Sequence, residues 1–242
     1  MRSLLLLPGL ACDAELFAAQ QAALAGGHRV HISDVHMREP TLPQMAARLL
    51  QEQPGRHVLV GASMGGMLAL ELWRQAPQRV LAIALLGSTA RPDTPELITL
   101  RTQACAMFAA GRMDEVLRAN VLFAFHPLHT RNRALVNGYL AMLRRAGAGQ
   151  LMAQNRAVMA RVDSRPLLPT VTCPLLVACG EADALTTPEH AREMAVLAPQ
   201  ARLEIVPGAG HMLTLEQPER VNSLLLQWLD GFKETPGCPE FP

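Results

Sequence analysis

His57-Val58-Leu59-Val60-Gly61-Ala62-Ser63-Met64-Gly65-Gly66-Met67-Leu68-Ala69-Leu70 carries the strongest structural signal in the chain. It opens with a short apolar run that reads as a buried strand. It closes in Met67–Trp73, which reads as a helix. Between them stands Gly61-Ala62-Ser63-Met64-Gly65, a G-x-S-x-G string. Strand, sharp turn and helix together are the setting in which this string forms a nucleophile elbow. The turn holds the serine in a strained backbone conformation, so its neighbours must be small, and Gly61 and Gly65 meet that need. The result is an exposed Ser63 hydroxyl with the Met64 amide beside it at a helix N-terminus. The string alone also fits a plain glycine-rich turn with a spare serine. A dinucleotide-type phosphate loop does not fit, because the G-x-G-x-x-G spacing is absent.

On either side of this stretch, strand and helix patterns alternate. Leu4–Leu7 is a continuous apolar run, as expected of a strand buried on both faces. Asp13 caps a helix through Ala25, which Gly26-Gly27 ends. Arg29–Ile32 reads as a strand. Leu42–Gln53 reads as a helix with Pro43 in its first turn and Pro54-Gly55 as its stop. Val80–Leu86, Leu175–Ala178 and Arg202–Val206 are further strands, and Pro188–Ala198 and Pro218–Phe232 are helices. This alternation predicts an α/β fold with a mostly parallel sheet between helices. Ligands on such sheets bind outside the carboxyl ends of the strands, where Ser63 sits. Residues 91–170 break the alternation with helical patterns alone and read as an insertion. The prolines of Thr235–Pro242 predict a frayed tail.

Composition narrows the function. At 242 residues, half of them hydrophobic, the chain can build one large domain. A net charge of +1 argues against a nucleic-acid binder. Five scattered cysteines without C-x-x-C spacing predict neither a disulfide framework nor a zinc site, and read as reduced cytoplasmic thiols. No apolar run has the roughly 18 residues of a membrane span. The four leucines after Met1-Arg2-Ser3 are short of the ~7–15 residues of a signal-peptide core.

A serine at neutral pH needs a base, and the base needs an orienting acid. Gly180-Glu181-Ala182-Asp183 follows the Leu175–Ala178 strand. Pro207-Gly208-Ala209-Gly210-His211 follows the next one. Ser63, Asp183 and His211 are therefore expected to converge at one edge of the sheet, in the chain order Ser…Asp…His. Glu181 and Asp93 are rival acids. Asp183 is preferred because it lies farther into its loop.

With these residues in view, the chain resembles the α/β-hydrolase superfamily, and within it the small capped carboxylesterases that act on acyl-carrier-protein methyl esters. The matching strings are Leu4-Leu5-Leu6-Leu7-Pro8-Gly9-Leu10, Val60–Gly66, Gly180–Asp183 and Gly208-Ala209-Gly210-His211-Met212. The resemblance implies a core of about six strands from residues 1–90 and 171–242, without the family's first hairpin, and a helical cap at 91–170. It implies oxyanion-hole amides from Leu10 and Met64. Pro8 stands where the family has a histidine, but a backbone donor survives that change. It also implies a small-molecule ester substrate, or an acyl ester on a carrier protein held by cap arginines. Residues 91–165 hold eleven arginines against five acids.

The reading is a serine hydrolase cleaving a carboxylic ester through an acyl-enzyme, with no cofactor and no metal. An acyltransferase or a cofactor-free haloperoxidase on the same triad is the alternative, and a non-catalytic ligand-binding protein of the same fold ranks last. His126 and His129 lack an acidic or cysteine partner for a metal. Met64, Met67, Met107, Met142, Met152 and Met159 are candidates for an acyl pocket or for ordinary core. Oligomeric state is left open.

Overall fold

The computed structural model describes residues 1–231. Phe232, Cys238 and the Thr235–Pro242 tail lie outside the described residues. Six strands form one sheet: β1 (Ser3–Leu7), β2 (Arg29–Ile32), β3 (His57–Ala62), β4 (Val80–Leu86), β5 (Leu175–Gly180) and β6 (Ala201–Val206). All neighbours are parallel and the order is β2-β1-β3-β4-β5-β6. The fold class is the one expected from the alternation of elements.

Each strand divides its side chains between two faces with a period of two. Leu4, Leu6, Val58, Val60, Ala82, Ala84, Leu86, Leu176 and Ala178 belong to one buried cluster. Leu5, Leu7, Leu59, Ile83, Leu85, Leu175, Val177 and Cys179 belong to the other. Both sets are apolar because both faces are covered, as a parallel sheet requires. The first face packs against α1 (Ala18–Leu24) and α9 (Pro218–Gly231). The second packs against α2 (Leu42–Glu52), α3 (Met64–Gln75) and α7 (Pro188–Leu197).

Local chemistry sets the element boundaries. The Thr41 side chain caps α2 by accepting from the Gln44 amide, and Pro43 occupies its first turn. The helix expected from Asp13 is divided. Asp13 caps a 3-10 turn, Ala14–Phe17, and α1 starts only after it. The tighter turn carries Leu16 and Phe17 together into the core, and Phe17 is wholly buried.

Between β4 and β5 lie three longer helices, α4 (Pro95–Ala109), α5 (Met113–Ala124) and α6 (Arg133–Met159), then a 3-10 turn at Arg165–Thr170. Gly147, at φ 78°, interrupts α6. The short α8 (Leu213–Glu216) precedes α9. The buried side chains of the inserted helices join the two clusters of the sheet: Phe108, Val121, Phe125, Tyr139 and Leu151 the first, Ala157 and Val158 the second. Met64, Met67 and Met142 are ordinary core residues. No helix among the described residues is long and apolar enough to cross a membrane.

The strand order has one consequence for the site. The chain runs from β1 outward to β2, then returns across β1 to β3. Connections leaving β1 and β3 therefore depart toward opposite faces, and a crevice opens at their carboxyl ends.

Candidate active site

Ser63 ends β3 and begins α3, with φ 52° and ψ −116°. A positive φ is uncommon for a residue with a side chain, and here it is held from several sides. The Ser63 amide donates to the Leu86 carbonyl at 2.9 Å, and its own carbonyl accepts from the Gly66 amide at 2.9 Å and the Ser88 hydroxyl at 2.7 Å. Glycine is required around it by close backbone approach. A methyl on Gly61 would strike Gly65, and one on Gly65 would strike the Leu7 carbonyl at the end of β1.

His211 follows β6 and is 6 % exposed. Its Nε2 lies 2.9 Å from Ser63 Oγ, and its Nδ1 lies 2.8 Å from Asp183 Oδ2. A carboxylate can only accept, so Nδ1 carries the proton and donates. Nε2 is then the acceptor for the Ser63 hydroxyl. Asp183, in the loop after β5, is fully satisfied. Oδ1 accepts from the amides of Leu185 (2.9 Å) and Thr186 (2.8 Å), and Oδ2 accepts from Thr186 Oγ1 (2.8 Å) as well as His211. Burial pushes its carboxyl up, but the His211 charge and hydrogen bond and the two amides outweigh burial and leave it below the usual aspartate range.

The rival acids have other partners. Asp93 accepts from Arg101 Nε at 2.7 Å and pairs with Arg161 at 2.8 Å. Glu181 accepts from the Gly208 amide at 2.6 Å and so fixes the turn that leads to His211.

The β1 loop lies against the elbow. A methyl on Gly9 would come within 3.3 Å of Ser63 Cβ and 3.4 Å of the Ala62 carbonyl oxygen. Leu10 follows Gly9, and Met64 is the first residue of α3. Among the described residues neither amide has a backbone acceptor outside regular structure. Cys12 is beside them, but burial and then the Asp13 charge push its thiol up to about 12, so it stays protonated and unreactive at neutral pH.

Three residues bearing on the site escaped the sequence reading. Thr186 bonds Asp183 and lies 3.2 Å from His211 Nδ1; its signal is the Asp-x-x-Thr spacing, which suits a local turn. Glu216 is buried, and its two oxygens accept from the Gly210 amide (2.9 Å) and the His126 amide (2.7 Å). Burial pushes its carboxyl up, and the two amides counter that only in part. Its signal is a lone acid in an apolar run, Met212-Leu213-Thr214-Leu215-Glu216. Gln154 of α6, the third, carries no local sequence signal. His129 Nε2 faces the Gly208 carbonyl at 3.0 Å, and His126 Nδ1 accepts from the Leu128 amide. Among the described residues no group of three His, Cys, Asp or Glu side chains could hold a metal.

A profile described as "Alpha/beta hydrolase family" matches residues 4–224. The chain belongs to the alpha/beta hydrolase family. Among the family's curated proteins, the pimeloyl-[acyl-carrier protein] methyl ester esterase of Edwardsiella ictaluri is 27 % identical over 95 % of this chain and 94 % of its own length. The dihydrolipoyllysine-residue acetyltransferase component of the acetoin cleaving system of Pseudomonas putida is 29 % identical over 71 % of this chain, a stretch that is only 45 % of that longer protein. Among solved structures, a thermophilic esterase from Thermogutta terrifontis superposes with a TM-score of 0.87 and 27 % identity, covering 96 % of this chain and 90 % of its own.

Proposed function

We propose that this alpha/beta hydrolase is a carboxylic ester hydrolase with Ser63, His211 and Asp183 as its triad. The observation that carries the reading is the unbroken relay Ser63 Oγ–His211 Nε2 (2.9 Å) and His211 Nδ1–Asp183 Oδ2 (2.8 Å) at the carboxyl ends of three strands. Ser63 attacks the ester carbonyl while His211 takes its proton. The amides of Leu10 and Met64 bind the oxyanion. Collapse of the tetrahedral intermediate expels the alcohol, which takes its proton from His211. Water, activated by the same histidine, then splits the acyl-enzyme into acid and free serine. Asp183 holds the imidazole in the required tautomer and stabilises the imidazolium.

Residues 91–170 act as a cap that selects the acyl group. The name of the Edwardsiella relative supports an acyl chain on an acidic carrier protein as one form of the substrate. Among the described residues, Arg118, Arg131, Arg133 and Arg156 have no carboxylate within ion-pair distance, whereas Arg144 pairs with Asp114 and Arg145 with Asp13 and Glu15. The unpaired four are the candidates for docking such a carrier. The name of the Pseudomonas relative supports a second reading, in which an acceptor other than water takes the acyl group.

The test is labelling with an alkyl fluorophosphonate followed by intact-mass and peptide analysis. One adduct on Ser63, lost in Ser63→Ala, is the expected result, and an adduct elsewhere overturns the assignment. Turnover of p-nitrophenyl esters of increasing chain length then measures the acyl preference. Competition between water and added alcohols or thiols separates hydrolysis from transfer.

A further inference from the structure

The proposed oxyanion amide of Leu10 sits in a loop with an unusual neighbour. Ala11 has φ 57°, a left-handed conformation that costs energy in a residue with a Cβ. Ala11 is wholly buried, so its amide proton cannot turn to solvent. It donates to Gln154 Oε1 at 2.6 Å. Gln154 belongs to α6, in the insertion, 143 residues away in the chain.

The Gln154 side chain is 1 % exposed and its orientation is determined by its partners. Nε2 donates to the His36 carbonyl at 3.0 Å and to Gln150 Oε1 at 3.2 Å, and lies 3.3 Å from Met37 Sδ. Exchanging oxygen and nitrogen would set an NH₂ against the Ala11 N–H and an oxygen against the His36 carbonyl. His36 closes the circuit, because its Nε2 lies 2.7 Å from the Cys12 carbonyl. Only the nitrogen can supply a proton there, so Nε2 donates. Burial lowers the His36 pKa, and Cys12 stays protonated, so neither group changes charge between pH 7 and 9. The loop is thus held on both sides of its strained residue, by an amide–carboxamide bond at Ala11 and an imidazole–carbonyl bond at Cys12. An apolar residue at 154 would leave the Ala11 amide buried and unpaired, and the loop could relieve both defects by rotating about Ala11. That rotation would swing the adjoining Leu10 amide.

We infer that Gln154 is a positioning residue, by which the inserted helices hold the β1 loop so that the Leu10 amide is aimed at the developing oxyanion. The inference rests on the proposed Ser63 mechanism. It assigns the insertion a part in the rate of the chemical step in addition to substrate selection.

The experiment compares Gln154→Met and Gln154→Glu with the wild type on p-nitrophenyl butyrate, with every rate divided by the concentration of sites titrated by a fluorophosphonate. This normalisation removes unfolded protein from the rates. Gln154→Met is expected to lower kcat by about 10- to 100-fold with KM within about threefold, since loss of a whole oxyanion donor costs about 10²–10³. Affinity for a trifluoromethyl ketone, whose hemiketal oxygen occupies the oxyanion position, should fall by the same factor as kcat/KM. Gln154→Glu supplies the second signature. A neutral carboxylic acid can accept from Ala11 and donate to the His36 carbonyl, whereas a carboxylate can only accept. The activity of Gln154→Glu relative to wild type should therefore fall as the pH rises from 7 to 9. A purely structural contact would lower the melting temperature and leave per-site kcat, ketone affinity and that ratio unchanged. Per-site kcat and ketone affinity within twofold of wild type in Gln154→Met, or a flat ratio in Gln154→Glu, overturns the inference. If Gln154→Met yields no titratable sites, the Gln154→Glu ratio decides. If wild-type Ser63 is not labelled, the underlying mechanism fails, and the Gln154 inference fails with it; labelling of wild type separates the two failures.

Discussion

Asp183 and Asp93 share a residue type, a place just beyond the carboxyl end of a strand, and nearly complete burial, with side chains 0 % and 1 % exposed. Their partners differ. Asp93 faces two guanidinium groups, Arg101 and Arg161, whose charge is permanent. Such a carboxylate can hold two segments of chain together but has no proton to exchange. Asp183 faces an imidazole whose other nitrogen meets a serine hydroxyl. Its partner carries one proton shared toward the carboxylate and one lone pair turned toward the serine, an arrangement that two guanidinium groups cannot offer. The comparison teaches that burial of an acid says little about its role until the acid–base character of its partner is known.

Asp183→Asn should lower kcat by about 10⁴-fold, the loss expected when an imidazole is held in the wrong tautomer. A comparable loss in Asp93→Asn, measured per titrated Ser63, would reverse the two roles. Asp93→Asn should instead appear in urea unfolding as a loss of about 3–5 kcal/mol, because Arg161, 7 % exposed, would keep a buried charge without its counter-ion. Its per-site kcat should be close to that of wild type.

Glu216 is a third buried acid, one whose partners are backbone amides. Glu216→Gln should cost about 1–3 kcal/mol near neutral pH, since an NH₂ group would face one of those amides. The pH dependence follows from the direction of the shift. The folded carboxyl holds its proton more tightly than the unfolded one, so wild type gains on the variant as pH falls through the raised pKa toward the ordinary ~4.3. A difference that is flat with pH would mean that Glu216 is not desolvated. Asp183 acts with the opposite sign. Its lowered pKa gives stability that is complete above about pH 4 and lost as the pH falls through the lowered value.

The smallest effect belongs to permanent charges on the surface. Arg144→Ala and Arg145→Ala should each change stability by under about 1 kcal/mol and leave small-ester turnover unchanged, because their ion pairs are solvent-exposed. A change in p-nitrophenyl ester kcat would show that the rim of the insertion reaches the chemistry.

Much of this was legible in the chain. The four-leucine run of β1, the glycines around Ser63 and the stop signals at Gly26-Gly27 and Pro54-Gly55 carry their information locally, through steric limits and side-chain period. The helices of 91–170 were legible as helices, and Gly147, at positive φ, interrupts the last of them. The preference for Asp183 over Asp93 came from loop position, and the sequence shows neither partner. Arg101 and Arg161 are 8 and 68 residues beyond Asp93, and no spacing rule joins them.

The alternation of strands and helices, the elbow and the three strand ends that carry Ser63, Asp183 and His211 are written in the chain. These depend on φ/ψ preferences and hydrophobic periodicity, which act over a few residues. The pairings of buried polar groups arise from packing alone: Asp93 with two arginines, Glu216 with the amides of Gly210 and His126, Gln154 with Ala11. Each is a donor or acceptor that must find a complement once water is excluded, and the complement is whichever group the packed helices bring near, at any distance along the chain.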